Sequence, residues 1–589
     1  MKRFNIILII AITFLTSLFL VACAKDGTGR RNEEIVIFWG YGDEIETQVF
    51  STLTQDFNKL HESEGLKVSY RQKSPDSYAE SLRTVLNGKN GPDVFYVNDD
   101  TVKSLSSLGF LTSLDSYIAS STEVVPSEMW DSSLNRYLYD TATTTQDGPN
   151  AHYWGAPKDV GPTVIYYNET FFKSAGITVI SVAAKDLASF NAGSPDSRGK
   201  TKAEYGIEGT VKEKGYFVLD DKKVFNNQVP MSWDETVASS VQVQNNSAAA
   251  DGFFTEWWFN YGWSVGGDCI QYVPKTDDVT LNGGRWEFTL MDSSKNYIVS
   301  DSYTGTYTGL VTSKQYKAGQ IIDFLDKVVN PEATNKLVRS EIIAAKNEGI
   351  LNELPSQREA FVEFVRLGQA SSKKVDTIDG KDLYGYGVCP SPTSIGGDSG
   401  KTKAFASGKV AMLIDGRWNV PNFRKQMDSH YEWDVAPLPV YKEYDSNGDI
   451  TVHGVESGQS GSVALSINAK SNKKEASWKF VEYVSGSVGQ LKQSKEGFAI
   501  PSQKALALSE DFLQTDRNPK NSIVFVRAAE YQTPGDWWYL RDKQWIDPWA
   551  GILNGSVRNG TKTLTEFENS NEYKNTNAVL LDYTKKIFS

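Results

Sequence analysis

Tyr153 to Ile177 reads YWGAPKDVGPTVIYYNETFFKSAGI, and the architecture turns on how this stretch is parsed. A Trp and a Gly-Ala-Pro turn open it, Asp159-Val160-Gly161-Pro162 punctuates it, and Val164 to Tyr167 is an apolar, aromatic run. Val-Ile-Tyr-Tyr bounded by turn residues predicts a buried strand. Asn168 is placed to cap a short helix through Phe171-Phe172-Lys173, which Gly176 would end. A Trp-bearing loop that passes through Gly and Pro into a central strand suits a chain leaving one lobe and entering another.

Upstream, the hydrophobic period switches regularly. Glu34 to Gly40 (EIVIFWG) is a short apolar strand, and Ile45, Val49, Leu53, Phe57 and Leu60 keep helical spacing. Leu66 to Tyr70 alternates as a strand, Tyr78 to Asn87 is amphipathic, and Gly91 to Val97 is again a buried strand. This β-α-β-α-β rhythm predicts an α/β architecture with a parallel, doubly wound sheet. Ligands of such sheets sit at the carboxyl ends of the strands, which here are Trp39 to Asp43 and Asn98 to Asp100. Asp99 and Asp100 suit helix capping as well as a cleft, so one of each role is expected.

Downstream, Val179 to Val229 has little periodicity but carries a hairpin signal at Leu219 to Val224. Ser232 and Glu235 have the spacing of a capping box. Phe253 to Gly267 is aromatic, breaks at glycines and runs into Asp268. Lys317 to Val329 and Ser340 to Gly368 are predicted helices, and Ala370 to Gly400 a surface excursion. Val410 to Ile414 is a strand with Asp415, Gly416, Arg417 and Trp418 at its carboxyl end. Asp445 to Glu456 has acidic and polar residues at calcium-loop offsets, but Ile450 stands where that loop needs Gly. Asn447-Gly448 is a strong hairpin turn, so a hairpin is expected there.

Composition sets further bounds. Lys2 and Arg3 precede apolar Phe4 to Val21, and Leu20-Val21-Ala22-Cys23 follows, describing a secretory signal (residues 1–22). Its end resembles a bacterial lipoprotein box, with Cys23 as the lipidated residue and residues 23–34 as a tether. The remaining chain is too long for a single core. A net charge of −12 repels phosphate backbones, which argues against nucleic acid as a partner. Four His without a His/Cys cluster argue against zinc, and no cofactor is expected. Spacing leaves open whether Cys269 and Cys389 pair. Fifteen Trp are more telling, because adjacent pairs such as Trp257-Trp258 and Trp537-Trp538 point in different directions and are seldom both buried in one core. A cleft lined with indoles suits sugar rings, whose hydroxyls also seek carboxylates and amides.

In order and spacing, the blocks EIVIFWGYGD, GPDVFYVNDD, GAPKDVGPTVIYYNETFFKSAGI, SWDET, FASGKVAMLIDGRW, WDVAPLP, SGSVALSINAKSNKKEASWKFVEYV, EGFAIPS and ILNGSV resemble the carbohydrate-binding extracellular solute-binding proteins of ABC importers, the family of the maltose-binding protein. The resemblance implies a two-lobed periplasmic-binding-protein-like fold, each lobe a doubly wound sheet, joined by a multi-segment hinge. It places the N-terminal lobe in residues 35–158 and 456–500 and the C-terminal lobe in residues 159–455 and 501–589, with crossings near 157–161, 455–460 and 499–502. It also implies a monomeric, lipid-anchored protein on the extracellular face that is no enzyme and hands a small carbohydrate to permease subunits.

Carried over residue by residue, the pattern puts Tyr41, Asp43, Tyr96, Asp99, Asp159 and Trp418 in the cleft, with Trp537 and Trp538 as a further stacking surface. Strand ends add Trp39, Asp415 and Arg417, and the aromatic-glycine segment adds Trp258 and Asp268. Residues 179–229, 268–309 and 370–400 have no obvious family counterpart. Two other functions are compatible: a secreted glycoside hydrolase drawing its carboxylates from Asp99, Asp159 and Asp415, or a receptor for another polar solute such as a peptide or polyamine.

Overall fold

The computed structural model describes residues 34–88, 90–99, 101–142, 146, 148–256, 258–273, 285–310, 312–327, 336–458, 460–531 and 546–588. Cys23, Asp100, Trp257, Trp537 and Trp538 lie outside the described residues.

The opening rhythm folds as the period predicts. Strand β1 (Glu34–Tyr41), helix α1 (Glu44–Leu60), strand β2 (Leu66–Lys73), helix α2 (Tyr78–Asn87) and strand β3 (Val94–Asn98) follow in turn. β1 pairs in parallel with both β2 and β3. Val49, Phe50, Leu53 and Phe57, on one face of α1, are buried, and Phe38 of β1 meets Phe50 from below.

Strand β4 (Ala156–Pro157) carries the chain to β5 (Gly161–Asn168), which is followed by α3 (Glu169–Ser174). As expected, Asn168 caps α3 by accepting from Phe171 N at 3.2 Å, and Gly176 takes a φ of 75° beyond it. β5 is buried along nearly all its length. Strands β6 (Met412–Gly416) and β7 (Trp433–Ala436) flank it, both antiparallel to it, with α4 (Val420–Met427) between them. The short strand β8 (Ser460–Gly461) pairs with the start of β5. β9 (Val463–Ile467) then returns to the first sheet, whose order is β2-β1-β3-β9-β4, and α5 (Lys474–Ser485) packs Phe480 against Phe38 and Phe57.

Among the described residues, beside two smaller clusters, two large hydrophobic cores result. One gathers the β1–β3 region with Ala464 to Val484, Phe498 and Ala499, the other Val160 to Leu438 with Ile500 and the C-terminal helices. The fold is two-lobed, and the chain changes core at three adjacent segments. Lys158 N donates to Val463 O at 2.9 Å, Val160 N donates to Ile500 O at 3.0 Å, and Ser460 pairs with Pro162. The middle crossing falls a few residues later than the sequence suggests, because Val455 N is still tied to Ser264 O in the second lobe.

The excursions are more structured than their composition. Residues 179–229 contribute Tyr216–Leu219 and Lys222–Asn226, a hairpin turned by Asp220 and Asp221 at φ 51° and 60°. That hairpin pairs with Ile177–Ile180 over its own small core. Residues 340–368 are not one helix: Gly349 at φ 75° ends the first, Leu351–Leu354 is a strand, and Ser356 caps a second helix, Gln357–Gly368. Ser232 and Glu235 form the expected capping box. Lys442–Tyr444 pairs with Ile450–His453 across Asn447-Gly448, and the Asp445 carboxylate accepts from the backbone of Asn447 and Asp449, as a hairpin turn requires. Cys269 and Cys389 are both buried and unbridged.

Candidate ligand-binding site

The strand ends meet where the chain crosses between lobes. On the first lobe, Tyr41 ends β1 and donates its hydroxyl to Asn98 Oδ1 at the end of β3, 2.5 Å away, with its ring edge-on to Tyr78 and Tyr96. Asp43 caps α1 by accepting from Glu46 N at 2.8 Å. Its other oxygen lies 3.4 Å from Nδ2 of Asn422 on α4 of the second lobe. This contact joins positions far apart in sequence and bridges the two lobes where the candidate groove between them would lie.

Behind Asp43 is a buried charge cluster. Lys158 is 3% exposed, and its ammonium lies 3.0 Å from Glu46 Oε1 and 2.5 Å from Asp159 Oδ2. Asp159 also accepts from Val463 N at 3.1 Å, tying two crossings together. Burial opposes the Lys158 cation, but Asp159 and Glu46 outweigh it and hold its pKa above the ordinary lysine value. Burial raises the Glu46 pKa against the pull of Lys158.

The second lobe presents the end of β6. Asp415 is buried, accepting from Gly416 N at 2.8 Å and from Asn419 Nδ2 at 2.7 Å. Trp418, in contrast, is 44% exposed. Its indole lies flat on backbone where only glycine fits: a Cβ on Gly416 would sit 1.9 Å from the ring, and one on Gly161 3.4 Å from it. Gly161 starts β5 at the first crossing, so Trp418 overhangs the junction of the lobes.

The remaining expected residues lie behind this surface or away from it. Tyr96 is fully buried, its ring among Phe38, Tyr41 and Phe50, so it supports the wall. Asp99 is buried and ion-paired to Arg136 at 2.8 Å. Arg417 does not reach the groove. It is fully buried over the Phe512 ring and donates to Phe512 O and Ser522 Oγ, and burial with nearby Arg424 lowers its pKa to about 9. Trp39 lies on the outer face of the first sheet beneath Lys73. Trp258 is buried against Phe259 and Trp549, and Asp268 accepts from Trp263 Nε1 and Cys269 N, so both belong to the second core. Asn98 lay in a strand end already expected at the site, whereas nothing in the sequence reading singled out Glu46, Lys158 or Asn422. Only Lys158, next to Asp159 in the crossing, carried a local signal.

Two sequence profiles, both of the bacterial extracellular solute-binding protein, match residues 43–334 and 359–520. The chain belongs to the bacterial extracellular solute-binding proteins. The matched spans hold both sides of the candidate groove, from Asp43 to Trp418 and Asn422. Solved structures share the fold of this solute-binding protein. An ABC substrate-binding protein of Listeria monocytogenes, in complex with cycloalternan, is 15% identical with a TM-score of 0.55, covering 93% of this chain and 99% of its own. The GacH receptor of Streptomyces glaucescens, solved unliganded and with acarbose, is 16% identical with a TM-score of 0.53, covering 94% and 98%. UgpB of Mycobacterium tuberculosis, in complex with glycerophosphocholine, is also 16% identical with a TM-score of 0.53, covering 93% and 98%. A search of curated proteins returns no match.

Proposed function

We propose that this solute-binding protein captures a carbohydrate, an oligosaccharide, between its lobes and delivers it to the permease of an ABC importer, held to the membrane by a lipid on Cys23. The observation that carries the reading is Trp418: a largely exposed indole laid over glycine backbone at the lobe junction offers a flat apolar face to a sugar ring. Asp43 and Asp159 supply acceptors from the first lobe and the crossing, and Asn422, on the same lobe as Trp418, supplies an amide that reaches Asp43. Sugar-bound neighbours of the same fold support it, while the glycerophosphocholine-bound neighbour shows that the fold itself does not choose the ligand.

Cleavage is the weaker reading. A glycosidase needs one carboxyl protonated and facing the scissile bond. Asp99 is tied to Arg136, Asp159 to Lys158 and Asp415 to backbone and Asn419, while Glu46, whose pKa is raised, is paired with Lys158. Incubating the protein with a panel of oligosaccharides, followed by calorimetry and product chromatography, tests both. Binding of intact sugar is expected; shortened products would favour the hydrolase, and no binding of any sugar would refute the proposal.

A further inference from the structure

On the outer face of the first sheet, away from the groove, is a cavity of about 360 Å³ between β1, the C-terminal end of α2 and the loop after β9. That size is within the range of small-molecule pockets. Its floor is Trp39, 8% exposed, whose indole N–H is buried and has no hydrogen-bond partner among the described residues. Burying such a donor unpaired is costly, so an acceptor drawn in beside Trp39 would recover part of that cost.

Arg71, Lys470 and Lys473 line it among neutral polar residues, with Lys73 beside Trp39. Arg71 stands opposite Trp39 in the β1–β2 register, is exposed and forms no hydrogen bond or ion pair among the described residues. Lys73 places its ammonium 3.9 Å above the Trp39 ring. Lys470 and Lys473 close the far side, Lys470 also capping the carbonyls that end α2, with 2.8 Å to Leu86 O. The one carboxylate lining the cavity, Asp93, is already occupied: it accepts from Ile37 N at 2.8 Å, Ser471 Oγ at 2.7 Å and Lys473 Nζ at 3.2 Å. Four cations around one satisfied acid, in a protein of net charge −12, form a localised positive field.

We propose that this cavity is a second ligand site, for a phosphate-class oxyanion held by the Arg71 fork and the Trp39 N–H in the field of Lys73, Lys470 and Lys473. The open charged groups are cations, which disfavours a cationic ligand, and the Asn90 and Asn472 amides that also line the cavity offer further N–H donors to an oxyanion. The volume admits a phosphate ester as well as the free ion. Two sources share that chemistry, free phosphate and the headgroup of an anionic phospholipid. Ile35, 41% exposed and on the same sheet face, gives the second an apolar edge to rest on. The cavity shares no residue with the groove, so the proposal stands whatever the groove binds.

The test titrates inorganic phosphate into the full-length protein in detergent, followed by calorimetry and phosphorus NMR. In a second arm the same protein is placed in nanodiscs of phosphatidylcholine, alone or mixed with phosphatidylglycerol, and hydrogen exchange is read over residues 35–41 and 67–73. Saturable phosphate binding that weakens about tenfold or more in Arg71→Gln, the loss expected for one charged hydrogen bond, and more modestly in Trp39→Phe, is the expected result. Arg71 is exposed, so Arg71→Gln keeps the melting temperature of the parent and remains interpretable if Trp39→Phe does not. Exchange protection that requires phosphatidylglycerol and disappears in Arg71→Gln assigns the headgroup; phosphate binding without it assigns the free ion. Binding that both variants leave unchanged means an adventitious ion only, and no binding in either arm overturns the site equally.

Discussion

Lys158→Met tests whether the crossing is held by charge. The substitution keeps the length of the aliphatic stem but deletes the ammonium that lies between Glu46 and Asp159. At 3% exposure the site has no room for bulk water to take over the cation's role. Removing one partner of a buried ion pair costs about 3–5 kcal/mol, because the other charge is left uncompensated. For a lobe of roughly 150–250 residues each kcal/mol moves the melting temperature by about 2–4 °C, so the first lobe should melt roughly 6–20 °C lower at pH 7. The pH dependence gives a sharper signature. Burial already raises Glu46 above its ordinary 4.5, and Lys158 restrains that rise. Without Lys158 the folded-state pKa climbs further. The native state then keeps a proton that the unfolded chain has released, so stability falls as pH rises above about 4.5. The Lys158→Met deficit should therefore shrink on acidification toward pH 4.5, and Glu46→Gln combined with Lys158→Met should recover part of it. Calorimetric melts from pH 4.5 to 7.5 read both effects. A variant that melts with wild type at pH 7, or a deficit that grows on acidification, would refute the reasoning.

Other consequences can be measured separately. Trp418→Ala should weaken carbohydrate binding by about 1–3 kcal/mol while the fold survives, since the ring is 44% exposed and outside the cores; unchanged affinity in calorimetry would remove Trp418 from the site. Gly416→Ala should do much the same by displacement: its φ of −97° suits alanine, but the new Cβ would meet the Trp418 ring at 1.9 Å, so affinity should drop without a matching loss of fold. An unaltered dissociation constant would show that the indole need not lie on that backbone. Lys103, buried near Asp99 and Arg136, has its pKa lowered to about 7, first by desolvation. Between pH 7 and about 10 the unfolded state binds the extra proton, so stability should rise with pH over that range, and Lys103→Met should flatten the rise in thermal melts. Equal slopes for the two proteins would contradict it.

The first lobe was legible because its signals are local. The apolar run EIVIFWG and helical spacing through Leu60, like the Asn placed before Phe171 in the second lobe, each act over a few residues, and each folds as read. The acidic residues at strand ends were not legible in the same way. Asp99 is neutralised by Arg136 and Arg417 is held by Phe512 and Ser522, partners no short window contains. Trp258 failed for another reason. It runs into Phe259–Ser264, a short helix buried along every residue, and Trp549 packs against it from the C-terminal region. Trp418 kept its expected exposure because two glycines, Gly416 and Gly161, let it lie over backbone instead of among side chains.

The charge pairing also bears on the choice between a sugar and a polyamine. A polycation would gain most from carboxylates that are ionised and uncompensated. Here Asp159 and Glu46 already share Lys158, and Asp99 already has Arg136, so a ligand cation would compete with ammonium and guanidinium groups built into the wall. A hydroxyl makes no such demand. It donates to a lone pair that a paired carboxylate still has available, accepts from an amide such as Asn422, and leaves the internal ion pairs intact. Asp43 aside, these carboxylates are compensated from behind, which disfavours a polycation and, with an indole face nearby, supports the proposed sugar ligand.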